Sequence, residues 1–197
     1  MIIQFKPGWS APLFGVTANE LTDRIVPLAD IWGGAGSELH AELQATRELP
    51  ELLACVSRAI ALRAPQGFES ASARLARRAA RSIEAGEARV EHVAAQLGVT
   101  ARHLRRAFSE NIGLGPKEFA RTVRLQRALH MMAHSNDWGR IAADAGYYDQ
   151  AHFTADFRQL IGVTPGAYLR RAQETAPECA GDASWAKRCK PRPVPPT

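Results

Sequence analysis

Two stretches of this chain are copies of one pattern. "VAAQLGVTARHLRRAFSENIGLGP" starts at Val93, and "IAADAGYYDQAHFTADFRQLIGVTP" starts at Ile141. Val93, Ala94, Ala95 and Gly98 recur 48 residues later as Ile141, Ala142, Ala143 and Gly146. Leu104, Phe108, Ile112, Gly113 and Pro116 recur 49 residues later as Phe153, Phe157, Ile161, Gly162 and Pro165. One residue is therefore inserted in the turn of the second copy. A repeat that keeps residue class at so many positions encodes the same supersecondary unit twice.

Each copy has the grammar of a helix-turn-helix. Val93 and Leu97, or Ile141 and Ala145, face inward from a short first helix, and Ala94 or Ala142 is small enough for a second helix to cross closely. Gly98 and Gly146 fall where the chain turns sharply, a place expected to need φ > 0 and to leave no room for a Cβ. Thr100 and Asp149 are N-cap residues for the second helix. Leu104 and Phe108, or Phe153 and Phe157, pin that helix to a core at i, i+4 spacing. The side chains left outward are those a major groove would meet. Between the copies, "PKEFARTVRLQRALHMMAHS" reads as one helix buried through Phe119, Val123, Leu125 or Gln126, Ala128 and Leu129. At about 18–20 residues it would span about 27–30 Å, close to the ~34 Å of one DNA turn. The spacing fits an asymmetric, bipartite reader in one chain.

These residues resemble the AraC-type (AraC/XylS) DNA-binding module of bacterial transcription regulators, over residues 84–171. The most specific part is "IAADAGYYDQAHFTADFRQLIGVTPGAYLRR", with Gly146, Tyr147, Asp149, Gln150, Phe153, Phe157, Gly162, Thr164, Pro165 and Tyr168 in register. Residues 1–80, through "FKPGW", "ELTDRIVPL" and "WG", more weakly resemble the closing part of a sensor domain that precedes this module in some regulators. The mostly β part of such a domain has no counterpart, so a shortened sensor region is expected. The resemblance implies a mainly α fold: two helix-turn-helix subdomains joined by a linker helix, after a small, mostly helical N-terminal region. It implies a sequence-specific transcriptional regulator that binds double-stranded DNA, with RNA polymerase a further candidate partner.

By resemblance, bases in the first half-site are read from Arg102, Arg105 and Arg106. Helix geometry agrees for Arg102 and Arg106, which lie away from Leu104 and Phe108; a guanidinium fork can bond guanine O6 and N7 together. Arg105 is a candidate phosphate contact. Thr100 and His103 complete the first set. In the second helix the matching outward positions are Gln150, Ala151, His152 and Ala155. Here the chain departs from the family, where many members carry an arginine in place of Ala155. Asp156 beside it would repel phosphate if it faced the duplex.

Charge supports a polyanionic partner only weakly. Residues 81–171 hold 13 Lys+Arg against 9 Asp+Glu, while residues 1–80 hold 8 of each. In the N-terminal region, Ile2, Ile3 and Phe5 suggest a short strand ended by Pro7-Gly8. Thr17 and Glu20 form a capping box, a helix starts at Ser37, and Pro50 opens another. A helix ending at Gly86 carries Arg74, Arg77, Arg78 and Arg81, expected to be a solvated face. His130 and His134 have the i, i+4 spacing of a metal pair but no third ligand, and read as ordinary helix residues. Cys55 reads as a small core residue. Cys55, Cys179 and Cys189 are too few for a disulfide framework and suit a reducing, cytoplasmic setting. No cofactor is expected, and no apolar run is long enough for a membrane span. Residues 172–197, ending in "KPRPVPPT", read as a disordered tail.

Two rival functions fit the sequence less well. A DNA-repair methyl-acceptor fused to the same module needs a cysteine-rich metal site, which three scattered cysteines do not supply. A protein-interaction remnant would keep the fold with little DNA affinity.

Overall fold

The computed structural model describes residues 2–64, 70–87 and 89–174. Residues 172–174 of the expected disordered tail are the end of a helix, and the rest of it, with the Cys179 and Cys189 thiols, lies outside the described residues. Twelve helices follow one another among the described residues, without a strand. Ile2 and Ile3 are exposed coil, and Phe5 packs edge-on against Phe14 instead (centroids 5.5 Å apart). The expected strand does not form: it has no neighbouring strand to take up its backbone hydrogen bonds.

The chain divides into two compact units, with the boundary at Ala120 and Arg121. The first contains α1 (Ser10–Phe14), α2 (Ala18–Leu21), α3 (Leu28–Trp32), α4 (Gly34–Ala45), α5 (Leu49–Arg63), α6 (Ala71–Glu84), α7 (Val90–Gln96) and α8 (Ala101–Ile112). The linker helix α9 (Pro116–Met132) runs through the boundary. The second unit holds the rest of α9 with α10 (Trp138–Ala145), α11 (Gln150–Ile161) and α12 (Pro165–Glu174).

In the first unit, α6 is the main support of α8. Ser70 caps α6, its hydroxyl accepting from the Ala73 N–H at 3.1 Å. Ala73, Ala76, Ala79, Ala80 and Ile83 are buried in a single stripe. Four alanines let the backbones approach closely, and the large side chains come from α8, where Leu104 and Phe108 are fully buried. The N-terminal helices also hold α8: α1 and α2 pack against it, and the Thr22 hydroxyl donates to the Gly113 carbonyl at 2.8 Å. Gly113, at φ +86°, ends α8 where an added Cβ would meet the Ala18 carbonyl oxygen at 2.9 Å. The boundary drawn from sequence between residues 80 and 84 thus falls in the last turn of α6.

The Thr17–Glu20 capping box is present. The helix expected from Ser37 starts earlier, at Gly34, because Gly33 at φ +59° makes the turn ahead of it. The α6 arginines are not uniformly solvated. Arg77 lies over the Trp9 ring at 4.2 Å and donates to the Gly8 carbonyl at 3.1 Å, tying the chain start to α6. Cys55 is only half-buried.

The second unit closes around Leu125, Ala128, Met132, Ile141, Ala142, Ala145, Tyr147, Phe153 and Phe157. In α9 it is Leu125, not Gln126, that is buried. At 17 residues α9 is slightly shorter than expected, about 25 Å long.

Both interhelical turns have the same hydrogen bonds. The Val99 N–H reaches the Ala94 carbonyl at 3.0 Å, and the Gly98 N–H reaches Ala95 at 3.1 Å. The Tyr147 N–H reaches Ala142 at 2.9 Å, and the Gly146 N–H reaches Ala143 at 3.0 Å. This is a Schellman pattern, with the glycine left-handed at φ +68° in the first copy and +89° in the second. The expected Cβ clash is absent: nothing lies within 4 Å of a Cβ at Gly98, and at Gly146 the nearest atom is Arg124 Cδ at 3.8 Å. Backbone conformation alone requires glycine at these two places.

Gly98→Val and Gly146→Val should each destabilise their unit by about 1–3 kcal/mol, through strain at positive φ. Unchanged thermal unfolding would refute this. A fragment spanning 70–174 should unfold cooperatively, whereas 84–171, which lacks α6, should lose the first unit's cooperative transition in calorimetry.

Candidate nucleic-acid interface

The recognition helices α8 and α11 are built alike. The Thr100 side chain accepts from the His103 N–H at 3.2 Å, and Asp149 accepts from the His152 N–H at 2.7 Å. Each helix ends at a left-handed glycine, Gly113 or Gly162. Burying Leu104, Ala107 and Phe108 turns Arg102, Arg105 and Arg106 outward. Burying Phe153, Asp156 and Phe157 turns Ala151, Ala155 and Arg158 outward. All nine sequence-derived candidates are exposed: Thr100, Arg102, His103, Arg105 and Arg106 on the first unit, and Gln150, Ala151, His152 and Ala155 on the second.

The arginines of α8 are not equivalent. Arg105 donates to Glu91 of α7 at 3.0 Å. Arg106, its side chain 80% exposed, donates through Nε to Glu110 at 2.7 Å. Glu110 is itself held in place, since Ser72 of α6 donates to it at 3.4 Å while accepting from the buried Asn111 amide at 3.0 Å. These groups border a depression of about 410 Å³ between α6 and α8, lined also by Thr100, Arg102 and His103. Arg102 lines it and has no ion pair among the described residues. Ion pairs this exposed are weak in solvent, so Arg105 and Arg106 remain free to exchange carboxylate for phosphate or guanine.

On α11 the condition for Asp156 to repel phosphate is not met. Its side chain is 9% exposed and faces inward, accepting from Arg121 Nε of α9 and from the Tyr147 hydroxyl at 3.2 Å. Arg121 also donates to Gln159 at 2.5 Å. Asp156 cannot repel phosphate from the outer face. It latches α11 to α9 in a buried arrangement whose charges are paired and hydrogen-bonded, the condition for tolerating them there. The sequence did hold the signal: with the 49-residue offset, Asp156 aligns with Ala107, a core-facing position in the first copy. Tyr147 completes the network, with Arg124 over its ring at 5.2 Å and the His152 ring edge-on at 5.4 Å.

Three outward residues were missed. Arg158 and Arg140 are exposed basic residues on α11 and α10, Arg140 lying 3.6 Å from Asp144. Tyr148, just before the Asp149 cap, is 92% exposed. Its neighbour Tyr147 is buried, a division that two consecutive tyrosines do not announce. The His130 and His134 rings contact each other edge-on at 5.8 Å, and no group of three metal-binding side chains occurs among the described residues.

A family model described as a helix-turn-helix domain matches residues 93–171, the span of both copies. The transcriptional activator RhaR of Pectobacterium carotovorum subsp. carotovorum (strain PC1) is 34% identical over 84 residues, which are 42% of this chain and 30% of that protein. The matched span, residues 93–171, is similar to a helix-turn-helix domain.

The transcriptional activator RhaS of Klebsiella pneumoniae (strain 342) is 36% identical over 76 residues, 38% of this chain and 27% of that one. The transcriptional regulator GlxA of Rhizobium meliloti (strain 1021) is 36% identical over 81 residues, 41% and 25% of the two chains. The chain thus matches less than a third of the length of these curated relatives. Among solved structures, the C-terminal domain of AraT, a response regulator from Geobacillus stearothermophilus, aligns with 58% of this chain and 96% of that one, at 24% identity and a TM-score of 0.49.

Burial, and then the neighbouring Asp156 carboxylate, push the Tyr147 phenol well above its ordinary value of 10.0. A raised acid favours the fold while protonated. Its contribution is therefore complete below pH 10 and is lost as the pH rises beyond it. Tyr147→Phe should flatten the loss of thermal stability above pH 10 relative to the unmodified chain, at the cost of the hydroxyl's bond to Asp156 at neutral pH. Parallel alkaline stability curves for the two proteins would refute the assignment.

Proposed function

We propose that the chain is a sequence-specific DNA-binding transcriptional regulator that reads DNA through its AraC-type module. The observation that carries this is the duplicated, capped recognition helix. Each copy presents its N-terminal turns outward, and the first presents Arg102, Arg105 and Arg106 together. Arg102 and Arg106 are the guanine readers of the first half-site. Arg105, Thr100 and His103 contact the backbone there; Gln150, Ala151, His152 and Ala155 form the second reading face. The two recognition helices read two successive major grooves. DNA reading resides in residues 84–171 with α6 as support, and residues 1–80 supply the regulatory region. RNA polymerase is the second partner, as befits a regulator of transcription. Among the described residues no helix is long and apolar enough to cross a membrane, in keeping with a cytoplasmic site of action.

Selection of binding sites from random DNA by the purified chain should yield an asymmetric operator. Its affinity should fall with salt, at about 0.9 log units per log unit of salt for each phosphate neutralised. Arg102→Ala and Arg106→Ala should each cost about 1–3 kcal/mol and relax choice at one or two base pairs. An equal loss on operator and random DNA would make these arginines phosphate contacts only. Failure to select any site would overturn the function.

A further inference from the structure

We propose that the second recognition helix chooses its half-site by contact with thymine methyl groups, made by Tyr148, Ala151 and Ala155. This rests on the DNA-binding reading above and adds the base class that the second half reads.

The 49-residue offset places Ala151 opposite Arg102 and Ala155 opposite Arg106. All four are exposed on equivalent faces of equally capped helices. Where the first copy offers two guanidinium forks, the second offers two methyl groups. The remaining polar groups near this face are mostly engaged. The Asp156 carboxylate is turned inward to Arg121 and Tyr147. Asp149 is spent on the His152 N–H, and the Thr154 hydroxyl donates to the Gln150 carbonyl at 2.9 Å. The His152 ring leans on Tyr147. Gln150 is left as the one amide reader, suited to adenine N6 and N7.

Tyr148 adds the second observation. An aromatic ring 92% exposed, directly before the helix N-cap, has no packing role to explain it. It extends the alanine surface toward the end of the helix that enters a groove first. Arg158, one turn beyond Ala155 on the same stripe, supplies positive charge beside this surface, which favours a nucleic acid over an apolar protein partner. In the major groove the one apolar group on any base edge is the thymine C5 methyl. An apolar face in that groove therefore selects T·A pairs, as an arginine face selects G·C.

The test uses the full chain and its selected operator, with Arg102→Ala marking which half-site the first helix reads. Each thymine of the other half-site is replaced singly by deoxyuridine, which removes the methyl group and nothing else. Binding should weaken about fourfold at one to three positions, the worth of one buried methyl. Deoxyuridine in the first half-site should change affinity less than twofold. Tyr148→Ala should abolish the response at one position, and Tyr148→Phe should keep it. The proposal is overturned if no position of the second half-site responds, if both half-sites respond alike, or if Tyr148→Ala leaves every response in place. Tight, salt-dependent binding of the unmodified operator alongside any of these results would leave the DNA-binding function standing. Absence of such binding would remove both.

Discussion

One backbone conformation repeated twice governs this module. A left-handed glycine between two short helices lets a Schellman pair close the first helix before the second begins. Everything outward on α8 and α11 follows from it. With that turn, Leu104 and Phe108, or Phe153 and Phe157, meet the core, and the residues opposite them remain for a ligand. The caps then finish the job locally, since a hydroxyl or carboxylate at the first turn satisfies an otherwise orphaned N–H. A single residue inserted in the second turn is absorbed without changing this pattern of bonds.

The two copies share a frame and diverge in chemistry. The first places arginines outward and steadies them with Glu91 and Glu110, loosely, at the surface. The second turns its ion pair, between Arg121 and Asp156, inward, and leaves Ala151 and Ala155 outward with Arg158 beside them. Surface pairs can be traded for contacts to DNA at little cost, whereas the inward pair cannot be released without stranding a charge. One half is electrostatically adaptable and the other is set by shape.

Much of this was legible in the sequence because periodicity reports burial. The repeat, both caps, the i, i+4 pairs and the outward arginines all follow from spacing and residue class. What escaped depends on partners distant in sequence. Asp156 looked like an outward charge until Arg121 and Tyr147 were found against it. Arg77 looked solvated until Trp9 and the Gly8 carbonyl were found beneath it. The tight space at Gly113 is set by Ala18 and Thr22, which no local pattern announces. The N-terminal strand was misread because β propensity there had no second strand to act on. The steric account of Gly98 and Gly146 failed for a related reason: a sequence can mark a glycine turn without showing whether space or torsion demands it.

The bond from Thr22 to Gly113 joins residues 91 apart, while that from Arg121 to Gln159 in the second unit spans 38. Closing the longer loop costs about 0.8 kcal/mol more in chain entropy. Loop closure is met before the contacts it enables can repay it, so the first unit assembles against the steeper entropic slope. Order of synthesis and ease of collapse therefore run in opposite directions along this chain. The ribosome delivers residues 1–120 before the second unit, and the bond from Thr22 waits until Gly113 has emerged.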